Sequence, residues 1–321
     1  MVFERFVHCN DRNSLKTRSI HFVLYFANVV WYTVTGETHF SGEIDMAEYT
    51  ISQGGKTSRS RERLGKLLRE GGQVLTVKDA ARILGGSSDD IAKTLARWCN
   101  QGWLSRIKRG VYVPVPVEAL TTDRAMEDAW VLVPELFGPA YVGGWTAAEH
   151  WDLTEQIFRD ICVFSARPVP KRHTVMHNIA FVVTHAPLES HFGTKTIWKK
   201  ETKLLVSDPT KTIVDMLSNP WTGGGIQHVA DCLKEFLKSS HFNTDRLVEY
   251  AEKLGNGAVF KRLGFLVEPN LGESHPLTAA CKSRLSKGNA QLDPSLKGDR
   301  LMTRWRLFVP TPLPIDMGTA E

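Results

Sequence analysis

The sequence has no closely spaced cysteine pair. Its five cysteines, Cys9, Cys99, Cys162, Cys232 and Cys281, are scattered through 321 residues without a CxxC. That argues against a zinc ribbon or a disulfide framework and suits a reducing cytoplasm. A membrane-length apolar run is also missing. Residues 20–34 are mostly apolar, with Phe22, Tyr25, Phe26, Trp31 and Tyr32, but fall short of the ~20 residues a spanning helix needs. His21 and Asn28 interrupt them. Two readings stay open: a signal anchor, or an upstream stretch preceding a true start at Met46. The contrast between residues 1–45 and the globular remainder favours Met46 and marks 1–45 as a non-native or disordered extension. With 42% hydrophobic residues, the rest can bury a core, as two domains, 46–116 and 117–321.

Catalytic patterns are equally scarce. Gly54–Ser58, GGKTS, resembles the end of a phosphate-binding loop, but the full pattern needs a glycine where Thr50 stands and a strand before it. A polar lead-in to a helix fits better, with Lys56, Arg59 and Arg61 available to phosphates. Three glycines at 223–225 precede a helix and could hold an anion there; no lysine or serine completes a site, so a flexible connection is preferred. His173 and His177 are four apart, a zinc spacing on a helix, yet RHTVMHNIAFVV reads as a strand. Asp208, Lys211 and Asp215 read as a capping aspartate, a solvent-facing lysine and a polar face residue. Lys195, Lys199, Lys200 and Lys203 around Trp198 read as a strand edge blunted by lysines. No catalytic constellation, metal site or cofactor motif emerges, and the chain is not expected to be an enzyme.

What is present is concentrated in residues 61–116. Leu64, Leu67 and Leu68 define a first helix from about Ser60, ended by Gly71-Gly72. Thr76 caps a second, with Val77, Ala80, Ala81 and Leu84 inward. After Gly85-Gly86, Ser87 or Ser88 caps a third, where Asp89 and Asp90 suit the positive helix end. Ile91, Leu95 and Trp98 face inward there, leaving Ser88, Asp89, Lys93, Thr94 and Arg97 outward. A hairpin turning at Lys108-Arg109-Gly110 follows, pinned by Trp103, Leu104, Ile107, Val111 and Val113. This order is a winged helix-turn-helix, which sets one helix in the DNA major groove. Residues 46–116 carry thirteen Lys+Arg against six Asp+Glu, a net of +7, while the chain totals +5. A basic excess confined to one small domain is a footprint for phosphate. Candidate DNA contacts are Ser88, Lys93, Thr94 and Arg97 on the helix, and Arg106, Lys108 and Arg109 on the wing.

Beyond a short linker at 115–122, a helix should run from Thr122 toward Phe137, bent or ended at Pro134. A turn at Gly143-Gly144 and a short helix near 146–151 come next. Strands are expected at 161–165, 179–184 and 204–207. Asp208-Pro209 starts a helix through Ile213 and Leu217, followed by helices at 226–238, 244–254 and 258–266 and a returning strand at 305–309. The class is α+β: a winged helix-turn-helix joined by that linker to a separately packed, mixed α/β C-terminal domain.

The strings RGVYVPVP, AYVGGWTAAEHWDL, SDPTKTIVDMLSNPWTGGGIQHVADCL and KGDRLMTRWRLFVP, in that order, resemble the AbiEi antitoxins of type IV toxin–antitoxin pairs. The resemblance spans about Gly65 to Val309 and leaves residues 1–45 without a counterpart. It implies a cytoplasmic repressor of its own operon whose N-terminal domain binds inverted repeats in promoter DNA. It also implies that the C-terminal domain antagonises a nucleotidyltransferase toxin without a stable complex. Two other classes compete: a nuclease targeted by its winged helix, and a ligand-responsive repressor unrelated to a toxin.

Overall fold

The computed structural model describes residues 55–115, 128–176 and 178–315, with side chains from Arg59 onward. Residues 1–45, Met46, the linker at 116–122, the start of the helix expected at Thr122, and His177 lie outside the described residues.

Helix α1 (Gly55–Glu70) begins earlier than the leucine pattern suggests. Leu67 is fully buried and Leu64 partly so, whereas Leu68 stays 40% exposed, so the buried stripe is narrower than expected. A short strand β1 (Leu75–Thr76) leads into α2 (Val77–Leu84) and α3 (Ser88–Asn100). Strands β2 (Leu104–Lys108) and β3 (Val111–Pro114) form the wing, and the sheet order is β1-β3-β2. Leu67, Leu75, Ala80, Ile83, Ile91, Leu95, Trp98, Leu104 and Tyr112 pack as one cluster. Trp98 buries its indole there and donates Nε1–H to Ser60 Oγ at 3.0 Å, as a buried donor requires.

Past the linker, a 3-10 turn (Ala129–Leu132) runs into α4 (Val133–Phe137). Pro134 starts this helix instead of ending one, since proline's missing N–H costs nothing in a first turn. Next come β4 (Ala140–Val142), α5 (Gly144–His150), β5 (Ile161–Ser165), β6 (His173–Met176), β7 (Ile179–His185), β8 (Thr194–Lys199) and β9 (Thr202–Ser207). They make a 6-stranded mixed sheet ordered β6-β7-β5-β4-β9-β8, in which β4 runs parallel to β9 and β5 to β7. The expected long strand around His173 is a hairpin instead, β6 pairing antiparallel with β7 and Asn178 turning at φ 59°.

Side chains alternate across this sheet with the period of two that a pleat imposes. Val142, Ile161, Val163, Phe181 and Val206 face one cluster, while Tyr141, Cys162, Phe164 and Val182 face another. Both faces of β5 are therefore buried, which explains its unbroken apolar run. The first cluster also takes in Leu132, Val133 and Leu136 and, from the wing, Val113 and Ile107. Residues from Gly55 onward thus form one compact unit, and the wing's outer face belongs to a core shared with the second half.

Helix α6 (Pro209–Ser218) is buried from Pro209 to Leu217 and lies among α7 (Ile226–Lys238), α8 (Thr244–Leu254), α9 (Ala258–Leu271) and α10 (Pro276–Ser283). A small sheet, β10 (Ala290–Gln291), β11 (Arg300–Met302) and β12 (Leu307–Val309), closes this end. Gly264 lets α9 lie against Trp305: a Cβ there would stand 2.0 Å from the indole.

Candidate nucleic-acid interface

Helix α3 is built to present one face. Ser87 is its cap, its hydroxyl oxygen accepting from the Asp90 amide at 3.2 Å while the hydroxyl donates to Asp90 Oδ2 at 2.7 Å. This reciprocal arrangement satisfies an otherwise orphaned helix donor. Thr76 caps α2 in the same way through Asp79. Ile91, Leu95 and Trp98 hold α3 in the core, so its opposite side faces solvent. Asp89, Lys93, Ala96, Arg97 and Asn100 form that exposed stripe, spaced at the i, i+4, i+7, i+8 and i+11 positions of one helix face. Ser88 is exposed at its start. Ala96 and Asn100 were not among the residues expected from sequence, though the same helical spacing reaches them.

Thr94 differs from expectation. It is buried, and its hydroxyl donates to the Asp90 carbonyl at 2.8 Å, the back-bond that β-branched hydroxyl residues make within helices. It lies at the flank of the buried stripe rather than on the open face.

On the wing, Arg106 and Arg109 are exposed. Arg106 lies close enough to Cys99 to act on its thiol: burial pushes the thiol up, and the guanidinium pulls it partly back. The wing thereby borders the end of α3. The β2–β3 ladder has a bulge between Arg106 and Lys108, leaving Ile107 as an extra residue. Bulges re-aim side chains, and here Ile107 packs into the shared core. Lys108 turns aside as well. Its ammonium donates to the Glu135 and Leu136 carbonyls, at 2.7 and 3.2 Å. Burial, and then Arg167, lower its pKa below the ordinary lysine value, with Glu135 acting in the opposite sense.

The remaining candidate constellations resolve into structure. Lys211, expected at the surface, is fully buried, paired with Asp215 and bonded to the Tyr141 hydroxyl at 3.2 Å. Tyr141 in turn donates to Asp215 Oδ2 at 2.9 Å. Asp208 caps α6, accepting from the Lys211 amide at 2.8 Å. At 223–225, where the α7 N-terminus could receive an anion, the Ile226 amide donates to Asp293 Oδ2 at 2.9 Å, so the chain's own carboxylate fills that place. Lys199 pairs with Asp128 at 3.2 Å, while Trp198 beside it is 64% exposed. Among the described residues, no three His, Cys, Asp or Glu side chains converge as a metal site, and no helix is long and apolar enough to cross a membrane.

No curated protein sequence matches the chain. A solved structure, that of the RV2827C protein from Mycobacterium tuberculosis, superposes with a TM-score of 0.52. The similarity covers 78% of this chain and 90% of that one at 16% identity, a likeness of fold alone. Residues 62–115, which run from α1 through the wing, match the family described as a transcriptional regulator, AbiEi antitoxin. Over its winged helix, the chain is thus similar to the AbiEi antitoxin transcriptional regulators.

Proposed function

We propose that this antitoxin regulator binds inverted repeats in its own promoter, represses its operon, and antagonises a nucleotidyltransferase toxin encoded beside it. The observation that carries the DNA-binding part is the exposed stripe of α3 with Lys93 and Arg97 on it, together with the exposed Arg106 and Arg109 of the wing. Arginine and asparagine suit base edges in the major groove, and lysine suits phosphate. Ser88 at the helix start adds a hydroxyl donor. Lys108 and Thr94 have given their polar groups to internal partners and drop out of the DNA-facing set. The second domain acts on the toxin without a stable complex, in the cytoplasm, and without enzymatic activity or a cofactor of its own. The toxin partner is supported by the sequence resemblance rather than by any site geometry.

The test joins two measurements on the full chain. Gel shifts with the DNA upstream of its gene should show tight binding that the K93A/R97A variant loses. Co-expression with the neighbouring gene product should show growth rescue that this variant keeps. Equal affinity for upstream and scrambled duplex overturns the repressor reading; failure of the wild type to rescue overturns the antitoxin pairing. A point variant serves better than a truncation, because removing the wing strips Val113 and Ile107 from the shared core.

A further inference from the structure

The wing and the β5–β6 connection converge on the end of α4. Lys108 Nζ occupies the Glu135 and Leu136 carbonyls. The next carbonyl, that of Phe137, accepts from Ser165 Oγ at 2.7 Å. Ser165 Oγ itself accepts from the backbone amide of Arg167 at 3.1 Å. Three consecutive carbonyls therefore hold the two segments side by side. Val169 packs into the same apolar cluster as Ile107 and Val113. Arg167 is exposed, and among the described residues its guanidinium has no hydrogen bond or ion pair.

We propose that Arg167 binds a DNA phosphate, carrying the nucleic-acid face from the wing onto the second domain. The proposal rests on the winged-helix reading above and names a contact outside that module. Lys108, the wing cation expected to meet phosphate, has its ammonium turned onto carbonyls. Arg167 supplies a charge beside it. The proximity is electrostatically felt, since Arg167 disfavours the charged form of Lys108. Glu135, exposed nearby, offsets part of this positive charge. Cations gathered at one edge repel one another, and a polyanion relieves that repulsion. A guanidinium presents the planar fork that phosphate oxygens accept.

The experiment measures the affinity of the full chain for a labelled mixed-sequence duplex of ~40 base pairs across a salt series. The slope of log affinity against log salt falls by about 0.9 for each phosphate the protein ceases to neutralise. Arg167→Gln should flatten the slope by about that amount, and Arg167→Lys should keep it. Arg300→Gln removes an equal charge from an exposed residue of β11 and should leave the slope at the wild-type value. If Arg167→Gln keeps the wild-type slope while K93A/R97A flattens it, the extension is wrong and the winged-helix face stands. If Arg300→Gln flattens the slope as much as Arg167→Gln, net charge alone is at work and the proposed phosphate site is overturned. A wild-type chain with no salt-dependent duplex binding overturns both.

Discussion

The Lys108 ammonium sits 2.7 Å from the Glu135 carbonyl oxygen, at the C-terminal end of a helix beyond the linker. A lysine there satisfies carbonyls that the helix leaves without partners and complements its negative end. The bond ties the orientation of the wing to the second domain.

Replacing Lys108 with methionine should therefore cost stability more than affinity. Hydrogen bonds to charged groups contribute about 1.5–3 kcal/mol, and partial exposure brings the expected loss nearer ~1 kcal/mol. Urea unfolding should show that loss as a lower midpoint. The salt slope on duplex DNA should stay within ~0.3 of wild type, against about 0.9 for one phosphate fewer. A slope reduced by a full phosphate would place Lys108 on DNA after all.

The two polar residues Arg97 and Thr94 should behave oppositely. Arg97→Ala should weaken operator binding by about 1–3 kcal/mol and relax specificity at one base pair if the guanidinium reads a base. Thr94→Val removes a hydroxyl already bonded within the helix and should change affinity less than about twofold. Titrating each variant against operator and scrambled duplexes separates them. Equal losses from both would show that the face of α3 is turned differently.

In the second domain, Lys211→Met leaves the Asp215 carboxyl buried without its cation. Breaking a buried pair in this way costs about 3–5 kcal/mol. Burial already pushes the Asp215 pKa up, against the pull of Lys211 and the Tyr141 hydroxyl. The double variant K211M/D215L should recover much of the loss, because replacing both partners removes the unpaired charge. Denaturant midpoints of the single and double variants decide this. If the two changes simply add, the ion pair is not what stabilises the site.

Alkaline pH should weaken the fold through its buried thiols. Burial pushes Cys232 and Cys281 up to about 12, and Cys162 higher still. Unfolded thiols ionise near ~8.5, so above that pH the unfolded chain holds fewer of these protons than the folded one. Stability then falls as pH rises, by about 1.4 kcal/mol per pH unit for each thiol. Cys232→Ala should remove one such increment from the slope of unfolding free energy between about pH 9 and 10.5. A slope unchanged in that variant would mean that Cys232 does not stay protonated in the fold.

The parts legible in the sequence are those set by neighbours in the chain. The caps at Thr76, Ser87 and Asp208 each depend on an amide three residues ahead, and β5, β7 and β9 announce themselves by β-branched and aromatic runs, whereas the short β4 does not. What escaped depends on distant partners. The spacing of Lys211 and Asp215 suits a surface pair equally well; Tyr141, some seventy residues earlier, makes it a buried one. Thr94 misled because a helical wheel separates faces but leaves their borders undefined. Lys108 misled because its direction follows from a bulge and from a docking surface beyond the linker.

The extra residue at Ile107 makes the alignment of the DNA reader a matter of counting. In a regular ladder Ile107 would oppose Val111; here Lys108 does. Deleting Ile107 would keep every charge of the wing, yet it would withdraw a side chain from the shared core and turn the lysine to another side of the hairpin. A transplant of this wing to a different winged helix would carry over the arginines but not their aim, unless the spare residue and the helix end that receives Lys108 travelled with it. Length variation in this hairpin should therefore be tolerated far less than changes of residue type at its tip.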